Sequence, residues 1–94
     1  MTQQQLIGKF LKGEKEGVSG GSGNLKIEGD KLIHYNTIIA ERFNDKIILN
    51  TTRYSLVTGR IQKMLKESID ENKLVIVRRV SEGCRDTLTK FLVQ

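Results

Sequence analysis

His34 is the only histidine and Cys84 the only cysteine in a chain of 94 residues. Those two side chains, with the carboxylates, are where chemistry would start. A lone cysteine forms no internal disulfide, and Cys84 with His34 falls short of the four ligands of a structural zinc site. Arg85 beside it would favour the thiolate, but no second cysteine or placed base turns the thiol toward redox or nucleophilic work. Cys84 is expected as a free thiol, buried or partly buried. His34 lies between Ile33 and Tyr35 in a strand-like stretch. There it suits a surface or half-buried strand residue more readily than a general base. Glu28, Asp30, Glu41 and Asp45 fall in turns or on strand faces, and Asp30 and Asp45 have turn roles. No carboxylate pair is spaced for acid–base work and no Ser/His/Asp order is framed by a motif. The expectation is a protein with no catalytic residues, no cofactor and no metal.

The run Gly17-Val18-Ser19-Gly20-Gly21-Ser22-Gly23 could pass for a phosphate cradle. A phosphate-binding loop of that kind ends in Gly-Lys-Ser/Thr, which places an amine and a metal-binding hydroxyl, and neither is present. The glycine spacing also misses the dinucleotide fingerprint. The run reads as a flexible loop over 17–23.

Cationic side chains carry more information. Sixteen Lys and Arg against eleven Asp and Glu leave a formal charge of +5. Residues 53–66 hold Arg53, Arg60, Lys63 and Lys66 and no acid, and Arg78-Arg79 follow farther on. Arg60, Lys63 and Lys66 or Glu67 share one line of a helix. Such a face suits phosphates, since Arg and Lys give charge-assisted hydrogen bonds to them. It also suits an acidic protein surface, or solubility alone. Arg53, Arg60, Lys63, Lys66, Arg78 and Arg79 are therefore the candidate binding residues. Tyr35 and Tyr54 would strengthen single-strand recognition if exposed, and would belong to the core if not.

The elements that must position these residues follow from periodicity. Leu6, Ile7, Phe10 and Leu11 share one face of a helix within 1–16, with Thr2 as N-cap and Gly13 near its end. Residues 24–50 read as a β-meander. Strands begin at Leu25, Leu32, Ile38 and Lys46, and turns fall at Gly29-Asp30, Asn36-Thr37 and Asn44-Asp45, with Thr37 equally able to open the third strand. Residues 55–71 form an amphipathic helix capped by Ser55, or by Thr51 or Thr52 if it starts early, with Val57, Ile61, Met64, Leu65 and Ile69 as its apolar stripe. Leu74 to Val77 is a continuous apolar run, expected as a strand covered on both faces. Residues 86–93 suit a short helix, or a strand by the alternation of Leu88, Lys90 and Leu92. The predicted fold is α+β: an antiparallel sheet of four to five strands packed on the central helix, with an N-terminal helix, as one domain over 1–94. No apolar run is long enough to cross a membrane, and the polar start predicts a cytoplasmic protein.

The stretch 23–62 resembles a small domain family met mainly in phage proteins and prophage regions. The resemblance rests on Gly23-Asn24-Leu25, Ile27-Glu28-Gly29-Asp30, Leu32, Tyr35, Ile39-Ala40, Asn50-Thr51, Tyr54-Ser55, Thr58 and Gln62. The chain departs from the family at Gly59, where a small hydroxyl residue is usual, and at Ile61, where histidine is common. The resemblance implies a phage-type accessory protein working in the cytoplasm of a host cell by binding a host protein or nucleoprotein complex. An inhibitor of a host defence nucleoprotein, of the anti-CRISPR kind, is the first expectation. A DNA- or RNA-binding accessory protein using the basic helix face is the second. An exposed meander edge leaves a homodimer open.

Overall fold

A computed structural model describes residues 2–18 and 24–92 of the chain. Residues 19–23 of the glycine-rich run lie outside the described residues, and so do Gly23 of the family resemblance, Met1 of the first helix and Val93 of the C-terminal stretch.

Helix α1 spans Gln3–Leu11. Thr2 accepts from the Gln5 amide while the Gln5 side chain accepts from the Thr2 amide, a capping box that satisfies two end donors at once. Gly13, at φ +99°, turns the chain away after the helix. Six strands follow: β1 Glu16–Val18, β2 Leu25–Glu28, β3 Lys31–His34, β4 Thr37–Phe43, β5 Lys46–Asn50 and, after helix α2 at Leu56–Ser68, β6 Leu74–Val77. They form one sheet in chain order, antiparallel from β1 to β5 and parallel between β5 and β6.

The α+β architecture is as expected, but the sheet is larger than the predicted four to five strands and is mixed. Two features account for this. The extra strand, β1, lies where the sequence reads as helix end and loop. Gly17 pairs with Ile27, and a Cβ there would stand 2.8 Å from Leu6 Cδ1, so glycine is what lets β1 slide under α1. The parallel pair arises because α2 carries the chain back to the start of β5's direction, as a helical crossover does. β6 is also an edge strand, with β5 as its one neighbour among the described residues, and its apolar run is covered unevenly: Val77 is buried but Ile76 stays 40% exposed.

One turn differs in position from its sequence signal. Gly29-Asp30 and Asn44-Asp45 sit where expected, with Gly29 and Asn44 at positive φ. The third turn is Tyr35-Asn36, both at positive φ, and Thr37 already belongs to β4. Helix α2 is shorter than 55–71: it stops at Ser68, and residues Glu71–Lys73 form a separate 3₁₀ turn capped by Asp70. Residues 86–92 form neither helix face nor strand but a single 3₁₀ turn at Thr89–Phe91. The Thr87 hydroxyl accepts from the Thr89 amide there, a local bond that competes with regular structure.

Both faces of the sheet are covered. On one face Leu6, Ile7 and Phe10 of α1 and Ile61 and Leu65 of α2 pack on Leu25, Ile27, Leu32, Ile39, Ala40 and Leu49. On the other, the C-terminal segment lays Val80, Cys84, Leu88 and Phe91 on Ile33, Ile38, Ile48 and Val77. A bulge reconciles the two: Leu32 pairs with Ala40 and Ile33 with Ile38, so Ile39 is an extra residue. It allows five consecutive residues, Thr37 to Glu41, to be buried. Glu41 holds the tail down, accepting from the Leu88 amide at 2.7 Å and the Thr87 hydroxyl at 2.8 Å. Cys84 is half-buried, as expected of a structural thiol.

Replacing Glu41→Ala leaves the Leu88 amide without its acceptor. Urea unfolding should show a loss of about 1–3 kcal/mol, and amide exchange at Leu88 should accelerate while that in α1 does not. An unchanged midpoint would show that the tail is held by its apolar contacts alone.

Candidate binding site at the start of the central helix

The site begins with a buried amide. Asn50, fully buried at the end of β5, donates from Nδ2 to the Ile38 carbonyl at 3.0 Å and to Tyr54 Oη at 2.9 Å. Its Oδ1 accepts from the Thr52 amide at 3.0 Å. Tyr54 passes its own hydroxyl proton to the Val80 carbonyl at 2.6 Å. Gln62 reaches back from α2 to donate to the carbonyls of Asn50 and Thr52, at 2.6 and 3.0 Å. Thr52 Oγ1 accepts from the Val80 amide, and the Thr51 amide donates to Val77. The connection from β5 to α2 is thereby stitched to the exit of β6, and Ser55 arrives extended, where its hydroxyl caps the Thr58 amide.

Two depressions share Tyr54 and Ser55 as their common wall. The first, of about 570 Å³, is lined by Arg53, Leu56, Gly59, Arg60, Gln62 and Lys63 besides the shared pair. The second, of about 420 Å³, is lined by His34, Tyr35, Thr37, Val57, Thr58 and Glu82 besides the same pair. Leu56 is 84% exposed and Tyr35 57% exposed at their rims.

Of the six sequence-predicted residues, three meet here: Arg53, Arg60 and Lys63 surround the first depression. Lys66 is exposed on α2 outside that lining. Arg78 and Arg79 follow β6 near the stitched connection, but Arg78 lines a different depression with Val75, Ile76 and Phe91. Among the described residues none of the six makes an ion pair, whereas Lys9, Lys26, Arg42, Arg85 and Lys90 each have a carboxylate partner.

Sequence reasoning missed His34 and Val57. Val57 was assigned to the apolar stripe but is exposed at the depression, because α2 turns its Ile61 and Leu65 face to the sheet. His34 is 1% exposed rather than on a strand surface, since the Tyr35-Asn36 turn folds the chain over it and α2 covers it. Its Nδ1 lies 2.8 Å from Thr58 Oγ1, and Ser55 Oγ donates to the same Thr58 oxygen at 3.1 Å. The Tyr35 ring stands edge-on to it, 4.3 Å between centroids. Nε2 is buried with no hydrogen-bond partner. The signal available in the sequence was the Ser-x-x-Thr spacing, which puts Thr58 one turn above the cap.

Chemically, the arrangement orders hydrogen-bond donors more than it builds a nucleophile. The hydroxyl that touches His34 belongs to Thr58, which is itself buried. No three His, Cys, Asp or Glu side chains gather as a metal would need among the described residues. No helix among them is long and apolar enough to cross a membrane.

Burial pushes the His34 imidazole below its ordinary value of 6.5. The folded protein therefore holds it neutral at pH values where the unfolded chain has begun to protonate. Stability should be full above pH 6.5 and fall as pH drops below it toward the lower folded value. Melting temperature followed from about pH 7.5 to 5.5 should show this fall, and His34→Gln should flatten it. A separate loss belongs below pH 4.5, where Glu28 of the unfolded chain takes up the proton that Lys26 and Arg85 keep from it in the fold.

No family model, no curated protein and no solved structure matches the chain.

Proposed function

We propose that this protein acts by binding nucleic acid, with Arg53, Arg60 and Lys63 at the start of α2 as its phosphate contacts. The observation that carries the reading is the gathering of these three cations, none with an acidic partner among the described residues, around one concave surface. A cation already paired within the fold has little left for a phosphate, while an unpaired one beside a hollow can give charge-assisted hydrogen bonds. Exposed Tyr35, one wall away, offers a ring on which an unpaired base can stack, which favours single strands.

Exposed Leu56 supports a second reading. Covering so fully presented an apolar side chain is favourable in a protein interface, and Arg53 and Arg60 beside it are of the residue type that carries interface binding energy. In this reading the protein is a phage-type inhibitor of a host defence nucleoprotein, of the anti-CRISPR kind, acting in the host cytoplasm. It would then elute stoichiometrically with a purified guide–effector complex, and Leu56→Asp would weaken that complex by about tenfold or more. Failure to co-elute with any effector type would remove this reading.

For nucleic acid, anisotropy with labelled single- and double-stranded DNA and RNA decides. Three phosphate contacts predict a log–log salt slope of about −2 on single strands, and so about a tenfold to twentyfold loss between 50 and 200 mM salt. The double variant Arg60→Glu/Lys63→Glu should abolish binding. Binding that ignores salt, or none at low salt, would sink the proposal.

A further inference from the structure

We propose that the His34 depression is a nucleobase pocket, set to receive one guanine of a single strand whose neighbouring phosphates lie on Arg53, Arg60 and Lys63; the inference rests on the nucleic-acid reading above. The pocket and the basic hollow are joined by their shared wall of Tyr54 and Ser55, so a base in one leaves its phosphates beside the other.

The hydrogen-bond chain fixes what the pocket offers. Ser55 donates to Thr58 Oγ1, so the Thr58 proton must find another acceptor. His34 Nδ1, at 2.8 Å, is the one present. With Nδ1 accepting, the neutral ring carries its proton on Nε2, the buried atom with no partner among the described residues. A buried donor left unpaired is costly, and a ligand that presents an acceptor to it recovers that cost. Ser55 and Thr58 are thus positioning residues that set the tautomer, and His34 makes the contact.

Glu82 supplies the opposite polarity. It lines the same depression and has no cationic partner among the described residues. A carboxylate accepts from N–H groups, and guanine alone among the bases presents two adjacent ones, N1–H and the N2 amino group, together with the acceptors O6 and N7. Adenine and cytosine offer an amino group without the second donor, and thymine and uracil only one imide N–H. Tyr35 gives a stacking surface at the rim. The volume of about 420 Å³ falls in the range of small-ligand sites, about 300–1,000 Å³.

The test is anisotropy on labelled oligo-dT of about twelve nucleotides, against the same strand with one central dG, dA or dC. The dG strand should bind about tenfold tighter than oligo-dT. Glu82→Gln, an exposed loop change that spares the core, should erase that preference, read as the ratio of dG-strand to oligo-dT affinity within the same variant. His34→Gln should weaken it while keeping the salt slope. Equal, salt-dependent affinities for all four strands would overturn the base pocket, with His34 Nε2 then served by solvent, and would leave the phosphate reading standing. No binding to any strand would remove both.

Discussion

The side-chain amide of Asn50 is the constraint on which the rest of the site depends. It is fully buried, and its three hydrogen bonds tie two segments together: the Ile38 carbonyl in β4, and the Thr52 amide and Tyr54 hydroxyl in the connection from β5 to α2. A buried polar group left unpaired costs about 1–3 kcal/mol, so the segment from Asn50 to Ser55 has one shape that satisfies it. Gln62 closes the loop from the helix side, and Tyr54 hands the connection on to Val80. The start of α2, the exit of β6 and the bulged β4 are thus locked together through polar bonds rather than apolar packing. Such networks specify a single geometry because any other leaves several groups unpaired at once. Asn50, Thr51, Tyr54, Ser55, Thr58 and Gln62 all take part in this network or in the cap and histidine chain beside it.

A chain of this size reaches that geometry by covering both sides of one sheet. The helices take one face, and an irregular tail takes the other. The tail has little regular structure to satisfy its own backbone, so Glu41 and Thr37 do so from the sheet, accepting from Leu88 and Gly83. Arg85 adds a tether to Glu28 and Asn36, at the strand turns on the tail's side. The bulge at Ile39 is what lets one strand serve both layers: it shifts the alternation so that Ile38 faces the tail while Ile39 and Ala40 face the helices.

Elements whose cause is local were legible in the sequence. Thr2 and Ser55 cap their helices, Gly29-Asp30 and Asn44-Asp45 make their turns, and the Leu6–Phe10 and Ile61–Leu65 faces enter the core. Elements whose cause is tertiary were not. β1 depends on Gly17 meeting Leu6, a contact invisible in a run of small residues. The Tyr35-Asn36 turn needs positive φ at a tyrosine, which composition argues against. Leu74 to Val77 reads as a strand covered on both faces, yet among the described residues it lies at the sheet edge with Ile76 exposed. Within the site, helical spacing joined Arg60 and Lys63 and also drew in Lys66, while Arg53, Arg78 and Arg79 were added by charge; Arg53 meets the first two at the depression, whereas Lys66 and Arg78 lie outside it. His34 was hidden because its burial comes from α2, which is 24 residues away at Thr58.

Those two classes of residue divide the recognition that the geometry supports. Charge attraction from Arg53, Arg60 and Lys63 reaches over a Debye length, about 8 Å at physiological salt, and is indifferent to which base follows which phosphate. A neutral imidazole N–H acts only at hydrogen-bond distance and only toward an acceptor in line with it. Burial is what keeps His34 neutral, so the same desolvation that makes its free Nε2 expensive also prevents it from becoming one more cation in a basic patch. An exposed histidine at this position would add a weak, pH-dependent charge to the three already present. Held under α2 by Thr58, it contributes direction instead, and that is the property a surface built only from lysine and arginine lacks.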